Sequence, residues 1–254
     1  MGWAGSPGDA TKKNQKNNRR GRQVTSKKNK SRRVFLGKMI GVATAATLPV
    51  AKMSAASAVE MDSQDLWMDG ITGDHRCLFD FPAHKNGAGL VHILNYITTY
   101  QAAYGADISD VSTIGTLYSI GPQSSIAMAF TDDMWAKYRF GEYLALDDPQ
   151  TGKPSVRNLF YKTMEGDSLP RVGNIGPFPD ASVSALQEKM GTIFLLCNNA
   201  VTALGMDLSM QGRGETEAII ADLKNHVHSG IHLVPAMVIA IEKAQVAGIS
   251  YNKQ

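Results

Sequence analysis

Gly191-Thr192-Ile193-Phe194-Leu195-Leu196-Cys197-Asn198-Asn199-Ala200 is a short apolar run that ends abruptly in a thiol and two amides. An uninterrupted apolar run of this length reads as a strand buried on both faces. Ala200-Val201-Thr202-Ala203-Leu204, which follows, suits a helix. The stretch therefore predicts a strand-to-helix turn with Cys197 at the corner. Unpaired backbone N–H groups at a helix start would favour a negatively charged sulfur there. The same residue also reads as a small apolar side chain that closes a core strand.

Outward from this corner, strands and helices alternate. Cys77-Leu78-Phe79-Asp80-Phe81 predicts a first strand ended by Pro82, and Leu90, Ile93, Leu94, Ile97 and Tyr104 recur at helical spacing up to Gly105. Val111 to Tyr118 predicts a second strand, Ser124 to Tyr138 a helix, and Asp180 the cap of a helix running to Met190. Downstream, Glu215 to His228 carries one apolar face and Ile231-His232-Leu233-Val234 reads as a strand. Pro235 opens a helix with Val238, Ile241 and Ala244 inward, and Gly248-Ile249-Ser250-Tyr251 makes a terminal strand. The order predicts a single α/β domain over residues 59–254: a flavodoxin-like three-layer sandwich with a mostly parallel sheet of about five strands. Residues 147–180 hold Pro149, Gly152, Pro154, Gly166, Pro170, Gly173, Gly176, Pro177 and Pro179, and are expected to form a structureless insertion, a lid or an oligomer contact.

The whole chain has 26 Lys+Arg against 23 Asp+Glu. Residues 1–58 hold 13 of those bases and one acid, Asp9, so residues 59–254 carry 13 bases and 22 acids, a net charge of −9. That excess of acid argues against a phosphate-backbone partner, so no nucleic acid is expected. Residues 1–30 have too few large apolar side chains to bury a core and are expected to be disordered. Ser31-Arg32-Arg33-Val34-Phe35-Leu36-Gly37-Lys38 then matches the twin-arginine export signal at every specified position, with Arg32 and Arg33 as its pair. Met39 to Ala51 is too short an apolar stretch to span a bilayer, for which about 20 residues are needed. Ala56-Ser57-Ala58 offers a small-x-small cleavage site. The match implies the translocation machinery of that pathway as a partner, a periplasmic or otherwise extracytoplasmic location, and no stable membrane anchor after cleavage.

Few residues point to chemistry. Cys197 at a helix start would suit a nucleophile, with Asn198 and Asn199 as hydrogen-bonding neighbours or, equally, as helix caps. His84-Lys85-Asn86-Gly87 follows the first strand, at the edge where open α/β sheets bind ligands, which makes His84 and Lys85 a second candidate site. His226, His228 and His232 cluster in sequence, with His92 elsewhere, but no Cys or carboxylate stands at ligand spacing, so no metal is expected. Gly-x-Gly-x-x-Gly, a Walker lysine loop, Gly-x-Ser-x-Gly and Cys-x-x-Cys-His are all missing, and no cofactor is expected. Cys77 near the start of one parallel strand and Cys197 at the end of another would lie too far apart for a disulfide.

Cys197-Asn198-Asn199, Val234-Pro235-Ala236-Met237-Val238, Gln245 and Gly248-Ile249-Ser250-Tyr251 stand in an order that resembles the DsrE/DsrF-like sulfur-relay family. The motifs cover Ser182 to Tyr251, and element order extends the likeness back to His75. The resemblance implies a sandwich that assembles into homo-oligomers, trimers or hexamers, and a cysteine that carries sulfane sulfur as a persulfide. Ala200 and Met237 depart from residues common in that family, and 147–180 has no counterpart in its small cytoplasmic members. Two functions follow as expectations: sulfane sulfur binding or relay through Cys197, as a sulfurtransferase or carrier, or a non-catalytic periplasmic binding or assembly subunit of the same fold.

Overall fold

Five parallel strands make one sheet: β1 (His75–Asp80), β2 (Val111–Leu117), β3 (Ile193–Cys197), β4 (Ile231–Val234) and β5 (Ser250–Lys253), in the order β4-β3-β2-β1-β5. The structure, a computed structural model, describes residues 65–254. The basic segment, the export motif with Arg32 and Arg33, and the cleavage site lie outside the described residues.

Alternation along the strands sends side chains to two unequal layers. Phe79, Val111, Leu117, Phe194 and Leu196 face a large core that also takes up α1 (Ala88–Tyr104), α2 (Asp132–Lys137), α3 (Phe140–Leu144), α4 (Val183–Met190), α5 (Asn198–Met210) and α6 (Thr216–Asn225). Leu78, Ile114, Leu195 and Cys197 face a small core covered by α7 (Met237–Val246) and the 3-10 turn Leu66–Gly70, whose Trp67 is buried. The result is the flavodoxin-like α/β class with three layers, one of them thin. Each fully buried Phe or Leu on the larger face contributes about 1.5–3 kcal/mol. Gly115 in β2 is required there, because a Cβ would lie 2.5 Å from the Phe194 ring.

Several expected boundaries move, each for a tertiary reason. Ser124 to Tyr138 is not one helix but a 3-10 turn at Ile126–Ala129 followed by α2. Asn158 breaks it: its side-chain amide donates to the carbonyls of Ala127, Met128 and Phe130, while Asp132 Oδ1 accepts the Asn158 N–H at 2.7 Å. Asp180 does not cap α4. Ser182 does, its hydroxyl accepting from the Ala185 N–H, whereas Asp180 pairs with Lys189. The last helix starts at Met237 rather than Pro235, and the last strand is Ser250–Lys253.

Residues 147–180 contain no helix or strand before the short turn at Pro179–Ala181, as expected, yet they do not hang free as a lid. Leu159, Phe160 and Leu169 join the larger core. Arg157 ties the segment's two halves by pairing with Asp148 and Asp167. Burying these side chains turns a Pro/Gly-rich loop into part of the wall.

Candidate functional site

Open parallel sheets bind ligands at the carboxyl ends of neighbouring strands whose following segments leave to opposite faces. Here the chain after β3 enters α5 on the large-core face, and the chain after β4 enters α7 on the small-core face. The crevice between β3 and β4 is therefore the switch point, and Cys197 is the last residue of β3.

The Cys197 sulfur accepts the Met237 N–H at 3.3 Å. This corrects the source of the expected amide: α5 starts at Asn198, but the donor comes from the first residue of α7, across the crevice. The Asn199 N–H donates instead to the Pro235 carbonyl at 3.3 Å, closing the crevice a second time. Asn198 and Asn199 are first-turn residues of α5 rather than caps, and the cap position belongs to Cys197. Cys197 is 5% exposed and packs with Leu195, Val234 and Met237.

A polar cluster that sequence reading missed stands beside it. Asp80, at the end of β1 and 3% exposed, accepts hydroxyl hydrogens from Thr116 at 3.1 Å and Tyr118 at 2.9 Å on Oδ1, and from Tyr251 at 2.6 Å on Oδ2. Leu117 is opposite Leu196, so one step further along the register Tyr118 is opposite Cys197, and both face the small core. Adjacent strands are about 4.8 Å apart, which makes phenol and thiol neighbours. Burial, then the bond to Asp80, pushes the Tyr118 phenol well above its usual range, with Cys197 a smaller contributor. The bond to Asp80, then burial, takes Tyr251 to about 12. The only sequence signal for this cluster was an Asp inside an otherwise apolar strand. Its partners lie 36, 38 and 171 residues away, beyond any local pattern.

His84 and Lys85 do not converge with Cys197. His84 packs against Phe160 of the larger core, on the other face, with ring centroids 5.6 Å apart. Its Nδ1 accepts the Asn86 N–H at 3.1 Å, which places the ring proton on Nε2, and burial holds the imidazole below its ordinary value. Lys85 is exposed and, with Asn86 and Gly87, has a left-handed backbone.

The two cysteines are free and face opposite cores, Cys77 the larger and Cys197 the smaller. Burial pushes the Cys77 thiol up to about 11, which leaves little thiolate at neutral pH. His226 and His228 are committed to local packing: His226 Nδ1 meets the Asp222 carbonyl at 2.8 Å, and the His228 ring stacks on Tyr161. A cleft of about 280 Å³ lined by Thr72, Ser109, Ser112 and Lys189 lies at the amino ends of the strands, the edge opposite Cys197.

No family model, curated protein or solved structure matches the chain.

Proposed function

We propose that this chain is an exported DsrE-like protein that holds sulfane sulfur on Cys197, as a carrier or sulfurtransferase. The observation that carries the reading is the position of the sulfur: last atom of a central strand, at the sheet's switch point, with a backbone N–H aimed at it. A backbone N–H in this position can donate equally to the sulfur of a bound persulfide. A homo-oligomer is part of the proposal, supported by the exposed Met206 and Met210 on α5, which no described residue covers. Periplasmic location through the twin-arginine machinery rests on the Arg32-Arg33 motif. Replacing that pair by Lys-Lys should leave the protein in the cytoplasmic fraction, and unchanged export would remove the location.

The burial of Cys197 favours a second reading, in which the residue closes a core strand and the protein is a non-catalytic binding or assembly subunit. One experiment separates the two. Purified protein is treated with polysulfide and weighed intact. Sulfur relay requires a mass gain of about one sulfur atom that Cys197→Ser abolishes and Cys77→Ser retains, since Cys77 is buried and protonated. A correctly folded sample that gains nothing leaves the second reading.

A further inference from the structure

We propose that residues 235–254, comprising Pro235, α7 and β5, form a strap that opens as a unit over Cys197 while the rest of the sheet stays folded. The strap covers the sulfur directly, since its Met237 N–H is the group bonded to Sγ. Its apolar grip is thin. Met237, Ala240, Ala244 and Ile249 are its buried anchors in the small core, with Ile241 partly buried beside them, and two of the four bury little more than a methyl group. Val238 and Val246 on the outer side of α7 are 73% and 84% exposed, so among the described residues nothing clamps the helix from outside.

Among the described residues β5 is an edge strand paired with β1 alone, and all four of its residues are exposed. Polar groups hold it. The Tyr251 hydroxyl donates to Asp80 Oδ2 at 2.6 Å, the Gln254 N–H donates to the Asp80 carbonyl at 2.9 Å, and Lys243 of α7 pairs with Asp65. A segment with few apolar anchors and exposed backbone pairing is the kind that opens below the free energy of global unfolding. Asp80 keeps the Thr116 and Tyr118 hydroxyls on Oδ1 when Tyr251 departs, and departure of the strap opens Oδ2 to water in place of the phenol. The strap deepens the reading of Cys197 as a sulfur site and rests on it for its purpose, but its test is independent of sulfur.

In a Cys77→Ser background, alkylation of Cys197 by iodoacetamide under native conditions reads the opening. Tyr251→Phe should accelerate it about tenfold, because one hydrogen bond to a charged group is lost from the closed form only. In unmodified protein, hydrogen exchange should release the amides of α7 and β5 together, ahead of those of β2 and β3. An alkylation rate unchanged by Tyr251→Phe, or α7 and β5 amides that exchange only along with β2 and β3, overturns the strap. If Cys197 is alkylated in this way yet takes up no sulfane sulfur, the strap stands and the sulfur reading falls. If it takes up sulfur while α7 and β5 exchange only globally, the reverse holds.

Discussion

Asp80 shows how one residue sets the chemistry of an edge. A buried carboxylate costs free energy unless it is hydrogen-bonded, and three hydroxyls from β2, the segment just after it and β5 supply the bonds. Asp80→Asn keeps the shape but leaves one acceptor oxygen where there were two. The variant should lose about 2 kcal/mol, within the range for hydrogen bonds to a charged group, read as a lower urea midpoint. The Tyr251 phenol, held near 12 first by its bond to Asp80, should return toward an ordinary tyrosine value in a tyrosinate titration. A Tyr251 titration unmoved by Asp80→Asn would mean that burial alone sets it. Loss of the Tyr251 bond alone acts on the strap, whereas Asp80→Asn also loosens β1 against β2.

Among the elements, the insertion at 147–180 departs furthest from its sequence. Pro and Gly spacing correctly denied it helix or strand, but composition carries no record of Arg157 reaching Asp148 and Asp167, whose carboxylates are nearly buried. Arg157→Ala removes the cation that both share and leaves two nearly buried carboxylates without it. The expected loss is about 3 kcal/mol, with new protease cuts inside 147–180. Equal stability and an intact loop after proteolysis would show the ion pairs to be incidental. The same logic explains what could be read and what could not. Strands β1 to β4 were legible because their apolar runs are local, and so was Cys197 at the end of β3. The broken helix before Asp132, the cap at Ser182 and the Asp80 cluster were not, because Asn158, Tyr118 and Tyr251 act across distances in sequence that periodicity does not span. The amide beside Cys197 was misassigned for the same reason: only the fold brings Met237 40 residues back onto the sulfur.

At the scale of the whole molecule, the histidines and the carboxylate shifted in the acid range push stability in one direction with pH, whereas the raised Cys77 and Tyr251 act only in the alkaline range. Burial lowers the imidazoles of His84, His228 and His232, with His228 taken to about 4. A histidine whose folded value lies below its unfolded one binds fewer protons when folded, so its contribution is complete above about 6.5 and fades as pH falls toward 4. Asp222 is held below the usual carboxylate range first by Lys137, then by Tyr138, and its contribution fades further down, as pH falls through that range. Acidification also relieves the self-repulsion of a net charge of −9 on residues 59–254, which works the other way. Those charges are spread over the surface and screened within about 8 Å at physiological salt, whereas the His228 ring is pressed against Tyr161, so the histidine wins. After discounting for the part of the ring that solvent reaches, His228 should cost about 1 kcal/mol between pH 7 and pH 5. Urea midpoints measured across that interval should therefore fall with acid, and His228→Gln, which cannot titrate, should flatten the slope while leaving the loss below pH 4 in place. A wild-type slope of zero, or a slope that survives the substitution unchanged, would move the acid sensitivity away from this ring and onto the carboxylates.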